Sequence, residues 1–154
     1  MGLDIIVDAS VQDVLDGIEA EHEERFRKSL AILPDMPNRI QTRPGSYAGL
    51  HRLRVAYCTF MAWPLDETGF HAKIPGPAEE SHLCNHSDCE GWYLPDMFEN
   101  PVWADETSIG SSDKLLEELL EMDDAAIAGV EYEWASMFVA AVASVTCGKV
   151  IKFS

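Results

Sequence analysis

Basic side chains are scarce in this chain: 11 Lys and Arg stand against 27 Asp and Glu, for a net charge of −16. The shortage is uneven. Residues 1–77 carry 8 bases and 11 acids, whereas residues 78–154 carry 3 bases and 16 acids. Between Glu79 and Gly148 the one basic side chain is Lys114. A field of that sign repels phosphate backbones and anionic lipid, so direct binding to nucleic acid or to a membrane surface is not expected. The excess acid serves solubility through self-repulsion, or it forms a surface for a basic partner.

Other absences narrow the class further. The opening Met1-Gly2-Leu3-Asp4-Ile5-Ile6-Val7 has no basic n-region, and no small-residue cleavage site follows, so an export signal is not expected. Ile6 stands where a myristoylation pattern wants Ser or Thr. The longest apolar stretch, Trp134 to Cys147, falls short of the about 20 residues a membrane helix needs and suits a buried helix. The expected address is the cytoplasm, where the four cysteines (Cys58, Cys84, Cys89 and Cys147) are reduced thiols. No nucleophile elbow, phosphate-binding loop, dinucleotide fingerprint or zincin motif occurs. An enzyme is therefore not the leading reading, and no cofactor is expected.

What is present is a hydrophobic fraction of 47% in 154 residues, ample for one core. A chain of this size buries roughly two-thirds of its unfolded surface. The pattern predicts an α+β fold in a single compact domain over 1–154, with about four helices around a small sheet that includes the N- and C-terminal strands. Leu3–Val7 reads as a buried strand. Ser10, with Asp13 three residues on, opens one long helix that ends at Pro34. Residues 34–44 read as a loop holding Arg39 and Arg43. Ser46 caps a helix closed by Trp63-Pro64. Residues 65–80 are an irregular excursion with a short strand near Gly69–Ile74. A strand is expected at Trp92–Leu94, and Gly110-Ser111-Ser112 opens a helix whose Asp113, Glu117 and Glu121 align at i, i+4. The last helix spans Glu131 to Thr146, is apolar nearly all round, and ends at Gly148 before a strand at 149–153.

Chemistry concentrates in one loop. His82-Leu83-Cys84-Asn85-His86-Ser87-Asp88-Cys89-Glu90-Gly91 holds two His, two Cys and two acids in ten residues. As a metal site, His82, Cys84, His86 and Cys89 would supply an N₂S₂ set of the kind zinc takes, but four ligands from so short a loop strain the backbone. As a catalytic site, Cys89 or Ser87 would need His86 as base, yet sequence neighbours rarely aim at one another, and Asp88 and Glu90 disfavour a thiolate. As plain structure, Asn85, Ser87 and Asp88 bond nearby amides and Gly91 supplies an unusual φ.

At this loop the chain resembles a family of uncharacterised small bacterial and phage proteins. The shared features are Met1–Asp4, the helix opening Ser46-Tyr47-Ala48-Gly49-Leu50-His51-Arg52-Leu53-Arg54, and the hexapeptide His86–Gly91. The family continues past the loop with a Cys-containing helix, whereas this chain has Asp96-Met97-Phe98 without that cysteine, which removes a downstream metal ligand. The resemblance implies no activity. It pairs the helix with the loop, so Tyr47, His51 and Arg54, at i, i+4 and i+7, are expected to face His86, Ser87, Asp88, Cys89 and Glu90 as one candidate ligand site. Asp88 is expected to be buried against Arg54, His51 or its own loop's amides. The leading functional expectation is a non-enzymatic acidic module docking a basic protein, of the immunity or host-factor-blocking type. The alternative is a small-molecule or metal site at the loop.

Overall fold

The computed structural model describes residues 3–44, 47–67, 69, 76–87 and 91–154. Two helices follow the first strand, β1 (Ile5–Val7): α1 (Val11–Gly17) and α2 (Ala20–Ile32). After β2 (Ile40–Thr42) come α3 (Tyr47–Phe60), a 3₁₀ turn (Pro77–Glu80) and β3 (Trp92–Leu94). Then follow β4 (Val102–Ala104), β5 (Thr107–Ser111), α4 (Ser112–Glu121), the short α5 (Asp124–Ile127), α6 (Glu131–Cys147) and β6 (Ile151–Phe153). The six strands form one sheet in the order β2-β1-β6-β3-β5-β4. Among the described residues, β3 and β5 are the one pair of neighbours that run parallel.

The α+β class and the pairing of the two terminal strands stand as expected, with Ile5 opposite Phe153 and Val7 opposite Ile151. The centre is α6, buried from Glu133 through Ser144. A helix apolar on every side must be enclosed, and α1, α2 and α4 pack around it on the inner face of β1, β2 and β6. Trp134 stacks on Phe138 at 4.5 Å, and the Arg25 guanidinium of α2 lies 4.4 Å over the Trp134 ring. Gly148 takes the left-handed conformation, φ +65°, that turns the chain from α6 toward β6.

Four expectations need correction. The single helix from Ser10 to Pro34 is two helices. The Ser10–Asp13 capping box is real, with Asp13 N–H to Ser10 Oγ at 3.1 Å and Ser10 N–H to Asp13 Oδ2 at 3.0 Å. Ile18, however, is extended (φ −65°, ψ 140°) and ends α1. A continuous helix over 11–32 would run about 33 Å and leave the core behind, whereas the break lets both halves pack on α6. The loop at 34–44 contains strand β2, paired with β1 through Ile5–Thr42 and Val7–Ile40. The hairpin β4–β5 is not expected from the sequence, because its two strands, Val102–Ala104 and Thr107–Ser111, hold few apolar residues and no alternation. The helix count rises accordingly, by the split of the first helix and by α5. The strand expected near 69–74 falls outside the described residues except at Gly69.

Candidate functional site

The turn at residues 81–87 lies on the inner face of β3 and β5, between α3 and α4. Two charged side chains hold it. From α4, Glu118 is 8% exposed; its carboxylate accepts the Ser81 hydroxyl at 2.6 Å and the His82 N–H at 2.6 Å. From α3, the buried Arg54 donates Nε–H to the Leu83 carbonyl at 2.8 Å and Nη2–H to the His86 carbonyl at 3.2 Å. Burial pushes Glu118 up to about 7, against the pull of these hydrogen bonds.

The two histidines are committed to the fold. His82 accepts the Ser111 N–H at Nδ1 (2.8 Å) and faces the Glu99 carbonyl with Nε2 (2.9 Å), which fixes Nε2 as the protonated nitrogen. His86 stacks flat on Tyr93, centroids 4.1 Å apart, with the Phe153 ring edge-on at 5.3 Å. Its Nδ1 lies 3.0 Å from the Ser87 carbonyl and its Nε2 lies 3.1 Å from the Trp92 carbonyl. Two carbonyls favour imidazolium, yet burial outweighs them and lowers the pKa to about 4. The neutral ring donates to one carbonyl at a time.

The remaining groups are similarly engaged. Cys84 Sγ lies 3.5 Å from Cys58 Sγ, and that neighbour together with burial holds the Cys84 thiol well above its usual range. Ser87 N–H donates to Ser108 Oγ at 2.8 Å. Asn85 donates to the Glu79 carbonyl at 2.7 Å and accepts the Trp103 indole N–H at 3.1 Å. Gly91 has φ +96°, and a Cβ there would lie 2.2 Å from the Ser108 carbonyl oxygen.

The structure thus brings Arg54 to the Leu83 and His86 carbonyls of the turn. Tyr47 and His51 are half-buried on α3. Asp88, Cys89 and Glu90 lie outside the described residues, and with them the expected burial of Asp88. Among the described residues, the donor atoms of His82, Cys84 and His86 do not converge on one point; the one grouping that does is the exposed Glu19 and Glu21 with the half-buried His22.

A regular row of charge lies elsewhere, on the outer face of α4. Asp113, Glu117 and Glu121 recur at i, i+4, about 6 Å apart along the axis. On one side of α4 a cleft of about 560 Å³ is bordered by Glu19, Glu21, Asp113 and Glu117. On the other side a cleft of about 210 Å³ is bordered by Glu80, Glu99, Glu117 and Glu121. Glu117 borders both, so α4 is the ridge of one acidic surface drawn from three parts of the chain. Lys114 does not break it, since its ammonium is held between Glu99 at 3.8 Å and Glu117 at 3.7 Å. The i, i+4 spacing of the α4 acids was the one sequence signal of this surface. The contribution of Glu19 and Glu21 depends on the α1–α2 corner.

No helix is long and apolar enough to cross a membrane among the described residues. The chain matches, over residues 1–153, the family described as "Putative DNA-mimic protein". No curated protein and no solved structure matches it. The family match corrects the partner expectation. That expectation was an unspecified basic protein, with nucleic acid set aside. A description as a DNA mimic implies a DNA-binding protein as the class of partner.

Proposed function

Because the chain belongs to this DNA-mimic family, we propose that it occupies the DNA-contacting surface of a DNA-binding protein through the α4 ridge and its two flanking clefts. The observation that carries the reading is the row Asp113, Glu117 and Glu121, backed by Glu19 and Glu21 on one side and Glu80 and Glu99 on the other. Carboxylates at regular helical spacing present to a basic groove the charge that a phosphate backbone presents. They sit on a rigid, core-packed helix, so little ordering cost accompanies binding. Attraction of this kind raises the association rate and weakens with salt. The reading needs no chemistry at the 81–87 turn, which serves to hold α3, α4 and the sheet together.

The test begins with capture of proteins on immobilised chain at low and high salt, and their identification. Each captured protein is then purified and titrated with labelled duplex DNA, with and without the chain. Mutually exclusive binding of duplex and chain, lost when Glu117 and Glu121 are both changed to Lys, is the expected result. A captured protein that holds duplex and chain together would overturn the reading.

A further inference from the structure

Two thiols from separate elements meet where α3 supports the 81–87 turn. Cys58 of α3 is fully buried and Cys84 of the turn is half-buried. Their Sγ atoms lie 3.5 Å apart, from positions 26 residues distant in the chain. With Ala78, Trp63 and Leu65 they form a small apolar cluster apart from the main core. A single buried cysteine behaves as a small hydrophobe. Two that face each other across pinned backbones can do more. The Cys84 N–H donates to Ser81 Oγ at 2.9 Å, and the Ser81 hydroxyl is held by Glu118. Arg54, whose guanidinium holds the Leu83 and His86 carbonyls, stands one helical turn before Cys58 on α3.

We propose that Cys58 and Cys84 are a reversible, peroxide-driven disulfide pair whose closure fastens α3 covalently to the 81–87 turn. A disulfide holds its sulfurs about 2.05 Å apart, so closure brings these two nearer by about 1.5 Å. Held side by side, they react as an intramolecular pair, without the entropy loss of bringing two thiols together. The link would join by a bond the two elements that Arg54 joins by hydrogen bonds. This inference rests on the geometry of the pair and stands apart from the family reading.

The two sulfurs have different parts in the reaction. The bond to Cys84, aided by the charge of Arg54, draws the Cys58 thiol below its usual range against burial, while the Cys84 thiol stands well above it. Cys58 is therefore the attacking thiolate and Cys84 the proton donor. Access runs past Cys84, the half-buried member, and hydrogen peroxide is little larger than water. The Cys58 sulfur attacks one peroxide oxygen and the O–O bond breaks. The departing hydroxide takes the Cys84 proton and leaves as water. Cys84, now a thiolate, attacks the sulfur of the Cys58 sulfenic acid. The S–S bond forms, the S–O bond breaks, and the second hydroxide leaves as water with a proton from solvent. The two thiols give up two electrons and peroxide accepts them. A small-molecule thiol reverses the link by exchange.

Hydrogen peroxide treatment of the full chain, then digestion without reductant and mass spectrometry, tests the proposal. The peptides holding Cys58 and Cys84 should be found joined, lighter by two hydrogens than the free pair, and a thiol reductant should part them. The link should form in the chain with all four cysteines, unmixed with Cys89 or Cys147, and equally in the Cys89→Ser/Cys147→Ser chain. Oxidation of that second chain should raise its melting temperature by about 5–10 °C, as closing a loop of this length does, and reduction should reverse the rise. Cys58→Ser and Cys84→Ser should each abolish the shift. Cys84→Ser, at the half-buried position, decides the matter if Cys58→Ser fails to fold. Thiols of Cys58 and Cys84 that stay free, a sulfinic acid in place of the link, a link made through Cys89, or a link that leaves the melting temperature unraised would each overturn the inference.

Discussion

Glu118 and Arg54 grip the same turn by its opposite ends. The Glu118 carboxylate accepts the His82 N–H at 2.6 Å, and the Arg54 guanidinium donates to the Leu83 carbonyl at 2.8 Å. The anion takes amide hydrogens and the cation takes carbonyl oxygens, which are the groups a single turn leaves unpaired at its two ends. Because one residue comes from α4 and the other from α3, the turn ties two helices to the sheet that carries Tyr93, whose hydroxyl donates to the His82 carbonyl at 2.6 Å.

This shared grip makes the two residues energetically coupled. Arg54→Ala and Glu118→Ala each strip a buried charged partner from the turn and are expected to cost on the order of 2–4 kcal/mol. The double variant should cost less than the sum, by roughly 0.5–3 kcal/mol, because a released turn loses both partners at once. Urea unfolding of the four chains measures the cycle, and strict additivity would show that the two contacts act independently. Arg54→Lys should not rescue, since an ammonium lacks the fork that reaches both carbonyls.

Two buried groups give opposite pH dependence. Glu118 has its folded pKa raised from 4.5 to about 7. The folded state therefore holds the extra proton in that window, and stability from this group falls as pH rises through it. His86 has its folded pKa lowered from 6.5 to about 4. The unfolded state holds the extra proton there, and stability from this group rises with pH across it. Melting temperatures read as variant minus wild type separate the two. The Glu118→Gln difference should climb between pH 4.5 and 7, and the His86→Phe difference should fall between pH 4 and 6.5. Slopes of the reverse sign would refute the burial argument.

Gly49 of α3 packs against the β2–α3 connection so closely that a Cβ would lie 1.8 Å from the Pro44 carbonyl oxygen. Gly49→Ala should therefore destabilise by about 3 kcal/mol or more despite alanine's better helix propensity. At Gly91, φ +96° and the Ser108 carbonyl at 2.2 Å from a built Cβ make the same substitution costly for two reasons. Gly129→Ala, where φ is +90° but nothing lies within 4 Å of a Cβ, isolates the backbone cost alone. Thermal melts that rank Gly129→Ala as harmful as Gly91→Ala would show that the close approach to Ser108 contributes nothing.

On the α4 ridge, reversing charge should change binding and spare the fold. Glu117 and Glu121 are exposed; Lys at both positions removes the Glu117 pair with Lys114 at 3.7 Å but sets an ammonium i, i+4 from Asp113, two small surface effects of opposite sign. Stability should stay within about 0.5 kcal/mol of wild type. Affinity for the captured DNA-binding protein should fall at least tenfold, and its salt dependence should become shallower. Unchanged affinity would place the binding surface elsewhere.

Local chemistry in the chain was enough to place its strongest elements. The Ser10–Asp13 box, the all-round apolar run of α6, Gly148 and the alternation of β6 each follow from neighbours within one or two turns, and the structure keeps all four. The acidic bias was legible from counts alone, as was the i, i+4 row on α4. The break at Ile18 was not legible, because it answers to the curvature of a core that α6 creates far along the chain. Nor was β2, a three-residue strand whose partner lies more than thirty residues away. His82 and His86 looked like ligands because their chemistry permits it. Their ring nitrogens proved occupied because β3, β5 and the Glu99 carbonyl come to them only in the folded state. The same holds for the acidic surface. Glu19, Glu80 and Glu117 are scattered in sequence; packing α1, α2 and α4 around one apolar helix brings Glu19 to one side of Glu117, and the hold of Glu118 on Ser81 brings Glu80 to the other.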